Sequence, residues 1–255
     1  KVKKRDKDKL KLNYQIILEY DGTHFNGWQY QKNGLSVQNE VEKSLKKIFK
    51  KKIKVIGAGR TDAGVHATGQ SANFEYDGKI IKDKFINSFN YFLRNQKISL
   101  KTIKKKNYKF HSRRDAKKRI YKYFISNRIG SLVLDKNRSW HIKKKLNVKL
   151  MKKAAKVLEG THDFSAFRAS SCGAKSPIRT IEKSSVIKKG EKIIITFISR
   201  SFLQKQVRSM VGCIRLVGDG KWTSKNIKNL LKSKKRSLCA PPAPPYGLYL
   251  TKVIY

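Results

Sequence analysis

Residues 57–67 have the sequence GAGRTDAGVHA, and this stretch organises the interpretation of the whole chain. It follows a short apolar run at residues 53–56 and precedes an alternating run at residues 70–76, which predicts a glycine-rich loop between two strands. Its three glycines allow positive φ angles and the close approach of a ligand. Arg60 and Asp62 are its only charged side chains. A lone aspartate in a turn usually bonds the local backbone, so the loop alone favours a structural role for Asp62.

The glycine spacing does not match the known phosphate-binding loops. A Walker loop has Lys followed by Ser or Thr after its last glycine, and the dinucleotide fingerprint needs a glycine where Asp62 stands. The pattern that follows the loop is not typical of a helix. The sequence therefore argues against ATP or NAD as the ligand of this loop.

Positive charge dominates the composition. The 255 residues include 61 Lys and Arg against 17 Asp and Glu, a formal net charge of +44. Fields of this sign attract polyanions and speed their association, so nucleic acid is the first class of partner to consider. Most of the cations are lysines, and a lysine excess can also follow from an overall compositional bias. With 39% hydrophobic residues, the chain is expected to fold rather than to be disordered.

Cysteine usage and the N-terminus suggest a cytoplasmic protein. Cys172, Cys213 and Cys239 are odd in number and form no CxxC pair, which favours neither a disulfide framework nor a zinc site. No run reaches the ~20 apolar residues of a membrane span. Residues 1–11 are basic but contain no apolar core, so they do not resemble a secretory signal. We expect a solvated tail, with extra phosphate contacts as the alternative.

Hydrophobic periodicity predicts two successive β-α-β-β-α-β units. The first unit has predicted strands at 12–20, 53–56, 70–76 and 98–103 and helices at 37–49 and 85–93. The second has predicted strands at 118–126, 178–187, 192–199 and 247–254 and helices at 148–158, 202–217 and 225–231. This order predicts an α+β fold of two ferredoxin-like (RRM-like) halves, with largely antiparallel sheets joined across a central RNA-binding cleft. The predicted division is a tail at 1–11, an N-terminal domain at 12–106 and a C-terminal domain at 107–255.

Several segments together carry a family resemblance. The loop, read as GRTDAGVHATGQ (59–70) with EYDGTHFNGWQYQ (19–31) before it, resembles the TruA family of tRNA pseudouridine synthases. Further matches follow in family order: FHSRRDAKKRIYKYFI (110–125), HDFSAFR (162–168), SPIRT (176–180), SFLQKQVRSMVG (201–212) and APPAPPYGLYL (240–250). The resemblance covers nearly the whole chain from residue 12. It departs from the family pattern at Gln204 and Lys205, where aromatic residues or histidine are common, and at 112–115.

The resemblance implies a set of site residues. The family's catalytic aspartate falls on Asp62, and the neighbouring arginine, which holds the place of the flipped nucleotide in the stack, falls on Arg60. The active-site tyrosine of the RxYxY pattern falls on Tyr121. The arginine that pairs with the aspartate falls on Arg208. No metal or diffusible cofactor is implied.

These residue types suit the chemistry of pseudouridine formation, which breaks the N1–C1′ bond of a uridine and joins C5 to C1′. The Asp62 carboxylate could attack C1′, stabilise an oxocarbenium-like species or remove a sugar proton, and the sequence leaves all three open. Arg208 beside it would favour its charged form. Tyr121 could stack on the uracil or handle the C5 proton. The target base must first be extruded, which costs a few kcal/mol.

Each candidate also has a structural alternative. Tyr121 could pack a strand face, and Arg208 alone could be a solvated or phosphate-contacting residue. Arg168 could bind RNA phosphates or pair with a carboxylate. Aromatic residues of the first matching segment are expected in the core (Phe25, Trp28 and Tyr30), and two histidines are expected to be structural (His66 and His162).

The expected function is therefore site-specific isomerisation of uridine in tRNA. The resemblance implies targets at positions 38, 39 and 40 of the anticodon stem-loop and a homodimer. Binding should weaken with salt, with log K falling by roughly 0.7–0.9 per phosphate neutralised for each tenfold increase in salt. The alternative is a non-catalytic RNA-binding protein of two RRM-like halves, although the sequence shows no clear aromatic RNP1-like strand.

Overall fold

The structure is a computed structural model that describes residues 11–31 and 33–255, so nearly all of the predicted basic tail lies outside the described residues. The strands in these ranges are β1 (Leu12–Tyr20), β2 (Ile56–Gly57), β3 (His66–Tyr76), β4 (Ile98–Lys106), β5 (Lys118–Ser126), β6 (Trp140–His141), β7 (Gly160–Asp163), β8 (Ile178–Lys189), β9 (Lys192–Ser199) and β10 (Leu248–Ile254). The α-helices are α1 (Val37–Phe49), α2 (Lys82–Leu93), α3 (Val148–Lys156), α4 (Gln206–Gly218) and α5 (Ser224–Ser233).

All ten strands belong to one sheet. Its main path runs β4-β1-β3-β10-β5-β9-β8-β7, while β2 pairs with β3 and β6 pairs with β5. The neighbouring strands are antiparallel except β3 with β10 and β5 with β6. The predicted α+β class with a largely antiparallel sheet is therefore confirmed.

Strand β10 joins the two parts of the sheet. It pairs in parallel with β3 through Tyr249 opposite His66 and Leu250 opposite Ala67, and it pairs antiparallel with β5. Gly69 permits this approach, because a Cβ there would lie 2.2 Å from the carbonyl oxygen of Thr251. A strand from the end of the described chain thus lies beside the strand that follows the glycine-rich loop.

The helix that carries Arg208 begins later than its periodicity predicts. Lys205 adopts the left-handed conformation (φ 61°), so α4 starts at Gln206 rather than at residue 202. The Gln206 side chain accepts a hydrogen bond from Leu203 N at 2.7 Å. By contrast, α1 begins as predicted after Ser36, whose hydroxyl accepts from Asn39 N.

The predicted strand at 53–56 was wrong. Val55 N donates to the Glu42 carboxylate on α1 at 3.0 Å, and β2 is only Ile56–Gly57, paired with β3. Strand β3 also begins at His66 instead of residue 70. Both shifts follow from bonds to distant partners, which a local pattern does not encode.

The core contains two of the three aromatic side chains expected there. Phe25 and Trp28 are buried, whereas Tyr30 is 53% exposed, so the core prediction was wrong for Tyr30. Among the helices of residues 11–31 and 33–255, none is long and apolar enough to cross a bilayer.

Candidate active site

The glycine-rich loop is fixed along its main chain by contacts from several strands. The Ala58 carbonyl accepts from the Arg119 guanidinium on β5, and Ala58 N donates to Ser71 O on β3 at 2.7 Å. The Gly59 carbonyl accepts from Gln70 Nε2, also on β3, at 2.7 Å. Trp28 N donates to the Thr61 carbonyl at 3.2 Å. The loop is therefore held rigidly on either side of Asp62.

The Asp62 carboxylate contacts a distant residue. Its Oδ2 lies 3.4 Å from Nη1 of Arg208 on α4, and both side chains are partly buried. Asp21 shows the alternative that the loop alone favours, because its Oδ1 accepts from Thr23 N at 3.0 Å within its own turn. Among the described residues, Asp62 makes no such bond with its local backbone. The structural alternative for Asp62 therefore loses its support.

Arg208 is itself held by the proline-rich segment at 241–245. Its Nε donates to the Ala243 carbonyl at 2.8 Å, and Ala243 N donates to the Arg208 carbonyl at 2.9 Å. The next carbonyl, of Pro244, accepts from the Tyr123 hydroxyl at 2.8 Å. These bonds to a proline-rich segment of restricted conformation orient the Arg208 guanidinium towards Asp62.

Tyr121 lies on β5 beside the same loop. A Cβ placed on Gly59 would be 3.7 Å from the Tyr121 hydroxyl oxygen, and the Tyr121 ring meets Phe202 edge-on at 5.2 Å between centroids. Burial raises the pKa of Tyr121, with Tyr20 and Asp62 adding to the effect, so the phenol stays protonated near neutral pH. Within the described parts of the chain, its hydroxyl has no hydrogen-bond partner. Tyr121 as a whole is buried, with 7% of its surface exposed.

The glycines of the loop differ from one another in what they permit. Gly64 uses the conformational freedom of glycine, with a positive φ of 76°, whereas Gly57 and Gly59 do not. Gly57 is required by space instead, since a Cβ there would lie 2.4 Å from the buried ring of Trp28. At Gly59 a Cβ would meet its neighbours only at ordinary contact distance. A methyl group would therefore fit at Gly59, in contact with Arg119, Tyr121 and Leu250.

The two other predicted site residues lie further from this centre. Arg60 is exposed and its Nε donates to the Gln29 side chain at 3.1 Å. Arg168 is half-buried, and the following residue, Ala169, donates from its N to the Gln204 carbonyl at 2.9 Å, just before α4. No ion pair joins Arg60 or Arg168 to Asp62 among the residues described.

Three residues beside the loop were missed by sequence reasoning. Arg119, Phe202 and Leu250 all border Gly59 or Tyr121, and Leu250 is fully buried with its Cδ2 3.7 Å from the Cβ position of Gly59. The RxYxY and GLYL segments contained two of them, but only Tyr121 was singled out. Within residues 11–31 and 33–255, no cluster of three or more His, Cys, Asp or Glu is placed to hold a metal ion.

Comparison with known proteins gives one family throughout. A family model described as tRNA pseudouridine synthase matches residues 16–115 and 154–255. The tRNA pseudouridine synthase A of Pelagibacter ubique is 53% identical over 96% of this chain and 100% of its own length. The proteins of the same name from Afipia carboxidovorans and Anaplasma phagocytophilum are 45% and 42% identical, over 95% and 96% of this chain and 99% and 100% of their own lengths.

A solved structure shows a more distant likeness. A chain from the crystal structure of a Cbf5-Nop10-Gar1 complex is 14% identical with a TM-score of 0.33, over 76% of this chain and 46% of that one. This similarity is too low to bear on the fold or the site.

Proposed function

The chain belongs to the tRNA pseudouridine synthase family, and we propose that Asp62 is the carboxylate with which it isomerises uridine to pseudouridine in tRNA. The observation that carries this role is the ion pair from Asp62 Oδ2 to Arg208 Nη1 at 3.4 Å. This contact with the guanidinium fixes the position of the carboxylate, which is the group that the reaction needs at the sugar. The net change is one N1–C1′ bond broken, one C5–C1′ bond formed, and a proton moved from C5 to N1.

We infer that Tyr121 and Arg208 complete the centre. The Tyr121 hydroxyl is protonated and lies beside Gly59, where we propose that it meets the uracil of an extruded nucleotide. Arg208 holds Asp62 in place. The reaction then draws on these side chains alone, without a metal or a diffusible cofactor. Three roles at the sugar are open to the Asp62 carboxylate: attack on C1′, stabilisation of an oxocarbenium-like species and removal of a sugar proton.

The proposed substrate is the anticodon stem-loop, with targets at positions 38, 39 and 40. Arg60 is exposed beside Asp62 in the sequence and would fill the place that the flipped nucleotide leaves. Arg168 would contact a phosphate near the start of α4. The net charge of +44 supports a polyanionic substrate of this size.

The strand order supports two ferredoxin-like halves. The first half pairs in the order β4-β1-β3-β2 and the second in the order β10-β5-β9-β8, so in each the fourth strand lies beside the first, then the third, then the second. We place the division between 106 and 107, after the last residue of β4. The proposed cleft lies where the halves meet, near the pairing of β3 with β10.

We further propose a cytoplasmic homodimer. The segment between β5 and β6 exposes three apolar side chains, Ile129 (82%), Val133 (79%) and Leu134 (87%), which a second copy could cover. A mass measurement in solution on the whole chain tests the dimer. A Leu134→Asp variant that shifts the mass from dimer to monomer would place the interface at this segment.

The replacement Asp62→Asn tests the catalytic proposal. With tRNA tritiated at C5 of uridine, we expect tRNA binding to be retained and tritium release to fall below detection. Asp83→Asn, an exposed carboxylate in the first turn of α2, is the matched control and should release tritium at the normal rate. Normal release by Asp62→Asn would exclude the role proposed for Asp62.

The non-catalytic alternative makes a different prediction. A protein that only binds RNA would release no tritium as wild type and would bind tRNA equally well after Asp62→Asn. Mapping pseudouridine in tRNA from cells with and without the protein tests the target positions separately. If pseudouridine is lost only at positions other than 38–40, the proposed reaction would stand and the proposed target positions would be wrong.

A further inference from the structure

Arg119 connects the glycine-rich loop to the strand that carries Tyr121. It is the second residue of β5, is 8% exposed, and stands two residues before Tyr121, so both side chains point to the same face of the sheet. Its Nε and Nη2 donate to the Ala58 carbonyl at 3.0 and 2.5 Å. One carbonyl of the loop therefore receives two N–H groups from one guanidinium.

The same guanidinium reaches two other segments. Its Nη2 donates to the Arg113 carbonyl at 3.0 Å, and its Nη1 donates to the Arg200 carbonyl. The first segment precedes β5, and the second follows β9 and leads to Phe202, which contacts the Tyr121 ring. A single side chain thus fixes three main-chain segments around the centre formed by Asp62 and Tyr121.

The charge of Arg119 is not matched by a carboxylate within the described residues. Burial lowers the pKa of Arg119, because the guanidinium leaves water without a counter-ion. Its side chain instead donates to the carbonyls of Ala58, Arg113 and Arg200, which would lose these donors in a variant without the guanidinium. Its planar fork of donors, which a lysine lacks, matches carbonyls that converge from three directions.

We propose that Arg119 is a positioning residue, which holds the main chain at Ala58 and thereby keeps Asp62 at a fixed distance from Tyr121. This inference rests on the proposed function, in which Asp62 reacts at the sugar while Tyr121 meets the base. A displacement of about 1 Å in such a centre can reduce the rate about 100-fold. Arg119 does this without contact to the reacting atoms.

Single-turnover tritium release from C5-labelled tRNA tests the inference in Arg119→Met and Arg119→Lys. We expect the rate constant at saturating enzyme to fall about 100-fold in Arg119→Met and at least tenfold in Arg119→Lys, with tRNA dissociation constants changed less than about threefold. Amide hydrogen exchange at residues 57–62 should be faster in both variants. The split between rate and binding separates positioning from RNA contact.

Arg128→Met is the matched control. Arg128 also donates to main-chain carbonyls of a loop, those of Gly130 and Ser131, and it pairs with Glu191, but it lies beyond the far end of β5 and makes no bond to residues 57–62, all of which the structure describes. Its tritium release should stay within twofold of wild type.

Four outcomes would overturn the inference. Normal rate constants in both Arg119 variants would mean that the loop is held without Arg119. A loss confined to tRNA binding would show that Arg119 contacts RNA. Full activity in Arg119→Lys would show that a positive charge is sufficient and that the fork of donors is not needed. Failure of both variants to fold would show that Arg119 is required for folding rather than for positioning Asp62. Tritium release by Asp62→Asn would instead reject the proposed function, whatever the Arg119 variants do.

Discussion

Arg208 Nη1 lies 3.4 Å from Asp62 Oδ2, although 146 residues separate the two positions along the chain. The guanidinium is aimed by a second bond, from its Nε to the Ala243 carbonyl at 2.8 Å. The pair therefore depends on three segments that meet only in the folded protein. Replacing a residue in any of these segments should therefore change the rate of the reaction or the stability of the protein.

Replacement of Arg208 by glutamine should slow the reaction. Gln removes the positive charge beside Asp62, and the loss of one preorganised donor to a reacting centre typically costs about 10²–10³ in rate. Single-turnover tritium release measures the effect. Arg215→Gln is the control on the same helix, because Arg215 lies 3.6 Å from Asp219 instead and should keep a normal rate. A rate for Arg208→Gln within threefold of wild type would contradict its pairing role.

Replacement of Tyr121 by phenylalanine removes the hydroxyl and keeps the ring, so it separates the contributions of the two groups. The hydroxyl has no partner within the described residues, so we expect the free energy of unfolding to change by less than about 1 kcal/mol. A loss of general acid–base catalysis would reduce tritium release by about 10²–10⁴. Tyr123→Phe is the comparison for stability, since its hydroxyl donates to Pro244 O at 2.8 Å and its loss should cost about 1 kcal/mol. Normal turnover in Tyr121→Phe would leave Tyr121 a stacking role only.

Two glycine replacements in one loop should have opposite effects. Gly57→Ala places a methyl group against the buried Trp28 ring, and such overpacking typically costs about 1–3 kcal/mol of unfolding free energy. Gly59→Ala meets no atom closer than 3.6 Å and should fold with normal or slightly higher stability. Its methyl group would occupy the space beside the Tyr121 hydroxyl and reduce tritium release. Urea unfolding and the tritium assay, run on both variants, check the contrast; full activity of Gly59→Ala would show that substrate does not enter there.

His66 should make stability depend on pH. It is buried, its Nδ1 accepts from Gly22 N at 2.9 Å, and its Nε2 lies 2.9 Å from the Asn137 carbonyl, so it is bonded as the neutral ring. Burial lowers the pKa of His66, although the Asp21 carboxylate acts in the opposite direction. As pH falls from about 6.5 towards this lowered pKa, the unfolded chain takes up a proton that the folded chain does not. The unfolding free energy should therefore fall, by at most about 1.4 kcal/mol per pH unit.

Urea unfolding at pH 7.5 and pH 5.5 measures this contribution against His66→Gln, which cannot titrate. Wild type should lose more stability than the variant between the two values. Equal losses in the two proteins would show that His66 does not titrate in this range. The other histidines are present in both proteins and cancel in the comparison.

Sequence could predict three side chains of the candidate site but not the way in which they are held. Asp62, Tyr121 and Arg208 each stand in a segment whose side chains identify it, and the structure brings all three together. Arg119 donates to the Ala58 carbonyl, and Arg208 donates to the Ala243 carbonyl. Every residue type has a main-chain carbonyl, so no side-chain pattern marks the positions that accept these bonds. The late start of α4 has a similar origin, because the left-handed Lys205 interrupts a periodicity that continues through it. Tyr30 was misassigned because an aromatic residue near buried ones is indistinguishable in sequence from its neighbours.

The placement of β10 also sets an order of events during synthesis. Asp62 and β3 are made early. About 145 to 190 residues later the ribosome adds Arg208, the proline-rich segment at 241–245 and β10. The first half can begin to fold on the nascent chain, since domains generally fold from the N-terminus as they emerge. A nascent chain that ends before Arg208 lacks both the ion pair to Asp62 and the strand beside β3, and one that ends before Leu248 still lacks that strand. We therefore expect the nascent chain to form pseudouridine only after β10 has been made.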